Sequence, residues 1–424
     1  MASTLLLGVM GALILANMPI ALAIGIAALA VILYERLPMM GIVQQMIVST
    51  DSFALLAIPF FLLAGLIMER GGISRRIVDF ASSLVGNIRG GLGHVSILAS
   101  LFFGGVSGSC AADTAAVGSV LIPAMKREGY HMPFVAALQA SAGTLGMVVP
   151  PSLTMVILGV TANISIGRMF LGGIIPAGLL VIAYMAFMSW HASHREYPRT
   201  TRPPVREIFR RFLVALPPFG TIVIILLGIV YGVFTATEAG VAAAVYAIGL
   251  GLWYGELKLR DLPGLLAQTG RTTGMIMLLV ATASLFGWVM TILRLPEAMT
   301  NAFLSVSSSP AYVFLLINIL LLLIGTFLDP TPIIIILVPL LMPIVQRVGI
   351  DPVHFGVVFA VNMTIAQISP PAGVPLFVAC GIAEIPLGRV FLPVLPFIAV
   401  SFIVLLLITY VPWLVLVVPR LLMP

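Results

Sequence analysis

Two aspartates stand in surroundings that should repel them. Asp113 lies in "GGVSGSCAADTAAVGSVLIP" (104–123), beside Ser107, Ser109 and Thr114; Asp329 lies in "GTFLDPT" (325–331), beside Thr331. Two further interruptions add oxygen-bearing residues. "SAGTLGMVVPP" (141–151) holds Thr144, Gly146 and Pro150, and "NMTIAQISPP" (362–371) holds Asn362, Thr364, Ser369 and Pro370. Hydroxyl, amide and carboxylate oxygens suit a hard cation, and no imidazole or thiolate cluster points to a transition metal. Each Pro-Pro pair removes backbone N–H donors and breaks a helix, which frees carbonyl oxygens. Freed C-terminal carbonyls attract cations, and half-helix N-termini attract anions. Asp113 is expected first as an N-cap and second as the charge partner of a sodium ion. Asp329 precedes Pro330, a good first helical residue, so it too reads as a cap. Sodium ligands are then expected among Ser109, Thr144, Asn362 and Ser369, although each such side chain could equally serve helix packing.

The elements that must hold these residues are membrane helices. The chain of 424 residues is 61% hydrophobic and 8% charged, against about 25% charged residues in soluble domains. Runs near 20 apolar residues recur throughout, long enough to cross a bilayer as helix. Crossings are expected near 4–33, 52–70, 134–160, 168–190, 213–234, 236–255, 264–293, 353–382 and 389–418, the first one retained rather than cleaved. The stretches 94–127 and 310–346 are too interrupted for simple spans and read as re-entrant hairpins. Segment 73–90 places Ile73, Ile77, Phe80, Leu84 and Ile88 on one face, a pattern that suits an interfacial helix. Thr235 and Glu238 form a capping box. His94 and His354 read as interfacial, without a visible partner, and Cys110 and Cys380 as small apolar fillers. Basic residues scattered along the loops, without interleaved aromatics, do not support nucleic-acid binding.

Loop 191–211 carries six arginines, which places it in the cytoplasm. With that loop inside, sixteen of the 21 basic side chains fall inside; Arg36, Arg168, Arg294, Arg347 and Arg420 fall outside.

The halves repeat. Asp113 and Pro123 pair with Asp329 and Pro339 at an offset of 216; Gly129 with Gly349 and Pro150–Pro151 with Pro370–Pro371 at 220; "GRMF" (167–170) with "GRVF" (388–391) at 221. Five crossings separate the two interrupted stretches, so the copies enter from opposite faces. The fold class is therefore an all-α polytopic membrane protein with an inverted-topology repeat, two re-entrant hairpins and two broken transmembrane helices, the plan of many secondary transporters.

At these motifs the chain resembles the large membrane subunit, DctM type, of tripartite ATP-independent periplasmic (TRAP) transporters. The pieces that carry the resemblance are "IPFFLLAGLIMERGGISRRIVDFA", "GGVSGSCAADTAAVGSVLIPAMKREGY", "VVPPSLTMVILG", "GVFTATEAGVAAAVYA" and "ISPPAGVPLFVACGIA", in order over 58–382. "TATEAG" departs from the Thr-Pro-Thr-Glu-Ala common in that family. The resemblance implies an elevator mechanism in a bacterial inner membrane, with sodium as coupling ion and no other cofactor. It also implies uptake of an organic acid, a small four-helix membrane subunit and a soluble periplasmic binding protein. It divides the chain into scaffold (1–93 and 212–309), cytoplasmic loop (191–211) and a transport domain of two repeats. These are 94–190, with hairpin 94–127 and broken helix 134–160, and 310–424, with hairpin 310–346 and broken helix 353–382. A stand-alone divalent-anion/sodium symporter of the same superfamily is the competing reading. An aspartyl protease is disfavoured because Asp329 follows "GTFL", not Gly-x-Gly, and a channel because the repeat favours alternating access. No enzyme activity is expected.

Overall fold

The computed structural model describes residues 1–195, 197, 203–306, 309–371 and 373–423, and no strand occurs among them. Arg199 and Arg202 of the basic loop lie outside the described residues. Seven described helices are long and apolar enough to cross a membrane.

Both interrupted stretches are helical hairpins. The first joins Gly91–Ser107 to Cys110–Arg127, and the second joins Pro310–Gly325 to Pro330–Arg347. Both Pro-Pro segments interrupt helices. Met132–Gly143 continues as a 3-10 turn, Thr144–Met147, and resumes at Leu153–Ala162. Pro352–Ile368 stops and resumes at Val374–Ala383. Asp351 caps the second broken helix, accepting from the N–H of Val353 at 2.8 Å and of His354 at 3.3 Å. Ser152 caps the resumed half of the first, and the Thr235–Glu238 capping box forms as expected.

The repeats interlock. The second helix of hairpin one packs against Met132–Gly143 and also against Val374–Ala383 of the other repeat. The second helix of hairpin two packs against Leu153–Ala162. Helix Ile166–Ser193, about 42 Å long at 1.5 Å per residue, orients the two hairpins. Its C-terminal end meets the mouth of hairpin one, where Tyr197 stacks on Tyr130 with centroids 4.1 Å apart. At its N-terminal end Arg168 donates to the carbonyl of Met423 at 2.9 Å, beside the Trp413–Leu422 helix that flanks the mouth of hairpin two. The mouths therefore lie at opposite ends of one long helix, as an inverted repeat requires.

The structure corrects the register of the repeat. The second hairpin helices run Cys110–Arg127 and Pro330–Arg347, a uniform offset of 220. Ser109 thus matches Asp329, and Pro123 matches Pro343. Pairing Asp113 with Asp329 matched residue types across a boundary: Asp113 is inside its helix, and Asp329 stands at the N-cap position of its own, where its side chain makes none of the expected capping bonds. The stretch read as one crossing, 4–33, is two helices, Ala2–Leu15 and Ile20–Tyr34. They pack against each other across a turn at Asn17–Pro19 in which Asn17 has φ 61°. Two short helices, Met40–Thr50 and Leu295–Val306, were not expected.

The amphipathic segment forms Ile73–Val85; Ile73, Ile77 and Phe80 of its apolar face are covered by protein, while Leu84 and Ile88 stay exposed. Phe80 packs on Phe102, Phe212 and Phe219 at 5.5–6.2 Å. Amphipathicity specifies an apolar neighbour, and the neighbours here are hairpin one and helix Val205–Val230. His94 and His354, read without a visible partner, are both buried and partnered. His94 Nε2 lies 2.8 Å from Ser189 Oγ, and His354 Nε2 lies 2.8 Å from the carbonyl of Ile408.

Candidate functional site

The tip of hairpin one turns at Gly108, whose φ of 64° disfavours any side chain. A Cβ there would also lie 3.0 Å from the Leu153 nitrogen, which donates to the Gly108 carbonyl at 3.3 Å. The hairpin is thereby tied to the break of helix one. Ser109 is the N-cap, and its hydroxyl makes no capping bond. The expected capping role of Asp113 is not observed. The helix starts earlier than its sequence position suggests, and Asp113 lies inside the first turn and a half.

Asp113 is instead a buried carboxylate, fully removed from the surface. Ser107 Oγ donates to its Oδ1, and the Ser109 N–H donates to Ser107 Oγ at 3.2 Å. Asp113 Oδ2 has no hydrogen-bond partner. It faces two glycines, Gly104 and Gly146: a Cβ on Gly104 would come to 2.8 Å from it, and one on Gly146 closer still. These glycines let two backbones close over a carboxylate.

The other expected residues divide into two groups. Thr114, Thr144, Thr364 and Ser369 each donate to a carbonyl of their own helix, at 2.8, 2.8, 2.7 and 2.8 Å. Asn362 is fully buried and donates through Nδ2 to the Asn318 carbonyl at 3.0 Å and to Asn318 Oδ1 at 3.1 Å. Its Oδ1 has no partner. The 3-10 turn carrying Thr144 and Gly146 packs on the helix carrying Asn362 and Thr364, so these four residues belong to one buried layer, while Ser369 at the second break is half-buried.

Ser109, Asp329 and Thr331 form the second group. They line a single cavity of about 730 Å³ with Thr154 of the first broken helix. Its opposite wall is Pro19–Leu22 together with residues of 272–279. Both hairpin tips therefore meet at one chamber. Among the described residues of its lining, Asp329 is the only charged side chain and none is a cation. Pro150 and Pro370 sit at the breaks and do not line it.

Sequence reasoning missed Asn318, Gln367, Thr154 and Thr272. Asn318 did carry a signal, as a lone amide within "YVFLLINILLLLIG". Gln367 reaches the Leu328 carbonyl from the second break at 3.4 Å. Thr154 and Thr272 look like ordinary packing threonines in sequence.

The profile of the family described as "Tripartite ATP-independent periplasmic transporter, DctM component" matches residues 7–414. The chain belongs to that family. As a DctM component it is one part of a three-part transporter and an integral membrane protein. It is 40% identical over 411 residues to the sialic acid TRAP transporter large permease protein SiaM of Vibrio cholerae, covering 96% of each chain. It is 39% identical over 410 residues to the isethionate TRAP transporter permease protein DctMQ of Oleidesulfovibrio alaskensis. That match covers 96% of this chain but 65% of that longer protein. These relatives are transporter permeases, not enzymes. Among solved structures, the YdaH transporter of Alcanivorax borkumensis, described as having an unusual topology, aligns with a TM-score of 0.63 at 14% identity. The alignment covers 87% of each chain and shows a shared fold.

Proposed function

We propose that this DctM component carries a small organic acid inward across a bacterial inner membrane, driven by sodium. The observation that supports this best is the meeting of both hairpin tips at one chamber. Inverted repeats place substrate and ion sites where their interrupted helices converge. The tip helices begin at Cys110 and Pro330, and their N-terminal ends favour a negative group. Sialic acid and isethionate, named for the two relatives, are both small organic anions.

An anion cannot enter a chamber whose lone charged side chain is Asp329 without a compensating cation. Sodium supplies that charge. Its ligands are drawn from Thr144 and Asp113 Oδ2 in the first repeat, from Asn362 Oδ1 and Ser369 in the second, and from Ser109 at the tip. A buried carboxylate with one unpartnered oxygen costs several kcal/mol, and a cation beside Oδ2 removes that cost.

The two repeats, 94–190 and 310–424, move as a transport domain against scaffold segments 1–93 and 212–309, in an elevator motion. Loop 191–211 faces the cytoplasm, by the arginine bias. A small membrane subunit and a soluble periplasmic binding protein complete the system. The longer DctMQ relative is consistent with a second membrane component carried on one chain.

Proteoliposomes test this reading. With the small subunit, the substrate-loaded binding protein and an inward sodium gradient, uptake is expected. It should vanish when the gradient is collapsed or the binding protein is left out. Robust uptake by this chain alone would favour the stand-alone symporter instead.

A further inference from the structure

The two hairpin mouths are built alike but finished differently. At the first, the chain plugs its own mouth with an aromatic side chain. Tyr197 stacks on Tyr130, its ring tilted by 8° and its hydroxyl 3.3 Å from His191 Nε2. A Cβ on Gly90, where the hairpin opens, would touch the Tyr197 ring at 3.5 Å. His191 itself stacks on Phe134 at 3.8 Å.

At the second mouth the same positions recur at the offset of 220. Gly129 and Gly349 both turn the chain with left-handed φ values of 77° and 75°. Ile350 stands in the place of Tyr130, and His354 in that of Phe134, with Pro310 opening the hairpin. Here these residues line a pocket of about 360 Å³ rather than a filled stack. That lies at the low end of ligand-pocket sizes, about 300–1,000 Å³. Its floor is apolar, with Phe314 beneath. Its polar groups are mostly committed: Asp351 caps a helix, and His354 Nε2 bonds the Ile408 carbonyl. Arg420, exposed at the rim, makes no ion pair with any described residue.

We propose that this pocket receives an aromatic side chain, flanked by an acid, presented by the soluble component of the tripartite system. The inference rests on the transport reading above and on the orientation that places this mouth outside. An apolar floor with a polar rim suits a tyrosine, which buries a ring and keeps its hydroxyl wet. The first mouth supplies the precedent within the same molecule. Arg420 selects for an acidic neighbour. The soluble component is favoured over a membrane subunit because two charged side chains, Arg420 and Asp351, line the pocket at the hairpin mouth. A plug there would brace the second hairpin as Tyr197 braces the first.

The test uses the complete membrane complex in nanodiscs, with the substrate-loaded soluble component as probe. Ala311→Trp fills the pocket from its wall, and Arg420→Ala removes the rim charge. Each is expected to weaken binding by about tenfold or more, the loss seen at an interface hot spot. A photo-crosslinker at position Ala311 should capture the soluble component. Wild-type affinity in both variants, or capture of the small membrane subunit, overturns the pocket assignment and leaves the transport reading intact. If Ala311→Trp does not assemble, Arg420→Ala and the crosslink decide. An assembled wild-type complex that binds no soluble component overturns both.

Discussion

Replacing Asp113 by asparagine separates a structural carboxylate from an ion-binding one. Asparagine keeps Oδ1, so the Ser107 hydroxyl retains its acceptor. It replaces the unpartnered Oδ2 facing Gly104 and Gly146 with an amide and removes the buried charge. Without sodium, Asp113→Asn should therefore be at least as stable as wild type, because an uncompensated charge has gone. With sodium the order should reverse. At sodium 100-fold above its dissociation constant, wild type gains RT ln(1 + [L]/Kd), about 2.7 kcal/mol. Domains of 150–250 residues shift by about 2–4 °C per kcal/mol, and larger chains by less, so for a chain of 424 residues the rise in melting temperature should be roughly 5 °C at most. Asp113→Asn should lose most of that rise. Asp113→Ala should lose it too, and should also be less stable in sodium-free buffer, since Ser107 is left without its acceptor at a cost of about 1–3 kcal/mol. The assay is thermal unfolding of the purified complex in sodium against choline. A sodium-dependent rise in Asp113→Asn equal to that of wild type would refute the reasoning.

Gly146→Ala puts a methyl group onto Asp113 Oδ2. It should cost about 1–3 kcal/mol by overpacking and abolish the sodium-dependent rise, while Gly8→Ala, inside a helix with nothing within 4 Å, should cost no stability and keep the rise; equal melting curves for the two variants would contradict the packing argument. In a background lacking Cys110 and Cys380, His194→Cys should escape a membrane-impermeant thiol reagent in intact cells, and Arg420→Cys should react. The reverse pattern would invert the orientation. Lys126 donates to Glu384 at 2.9 Å across the two repeats, and this bond holds the Glu384 carboxyl below its usual range. A depressed carboxyl contributes stability that is present above its unfolded pKa and fades as pH falls through the folded value. Both side chains are exposed, so solvent screens the pair. A double-mutant cycle in thermal unfolding should give a small coupling at neutral pH and none in acid; a coupling that grows in acid would contradict the assignment.

The fold was legible where sequence spacing and physics coincide. Repeated Pro-Pro pairs and the Gly129/Gly349 turns set the repeat, and each marks a place where helix geometry must change. Register was misread where residue type alone guided the pairing. Asp113 and Asp329 look equivalent, but one lies within a helix and the other before one, and only the observed helix starts distinguish them. The apolar face of Ile73–Val85 was visible, whereas its covering by Phe102 and Phe219 depends on contacts distant in sequence. For the same reason the partners of His94 and His354 could not be read: Ser189 lies 95 positions from His94, and the Ile408 carbonyl 54 from His354. In the candidate site, clustered oxygens marked the four breaks in sequence. The division into a buried polar layer and an open chamber required the packing of one repeat on the other.

Substrate protection of a cysteine placed at Ser109 tests the central claim most directly, in the Cys110→Ala, Cys380→Ala background and in a preparation that transports. Ser109 lies at a hairpin tip and lines the chamber shared with Asp329. Its alkylation rate should fall when organic acid and sodium are both present, and should change little with the acid alone in choline. An unchanged rate at saturating acid and sodium would place the substrate somewhere other than the chamber where the two tips meet.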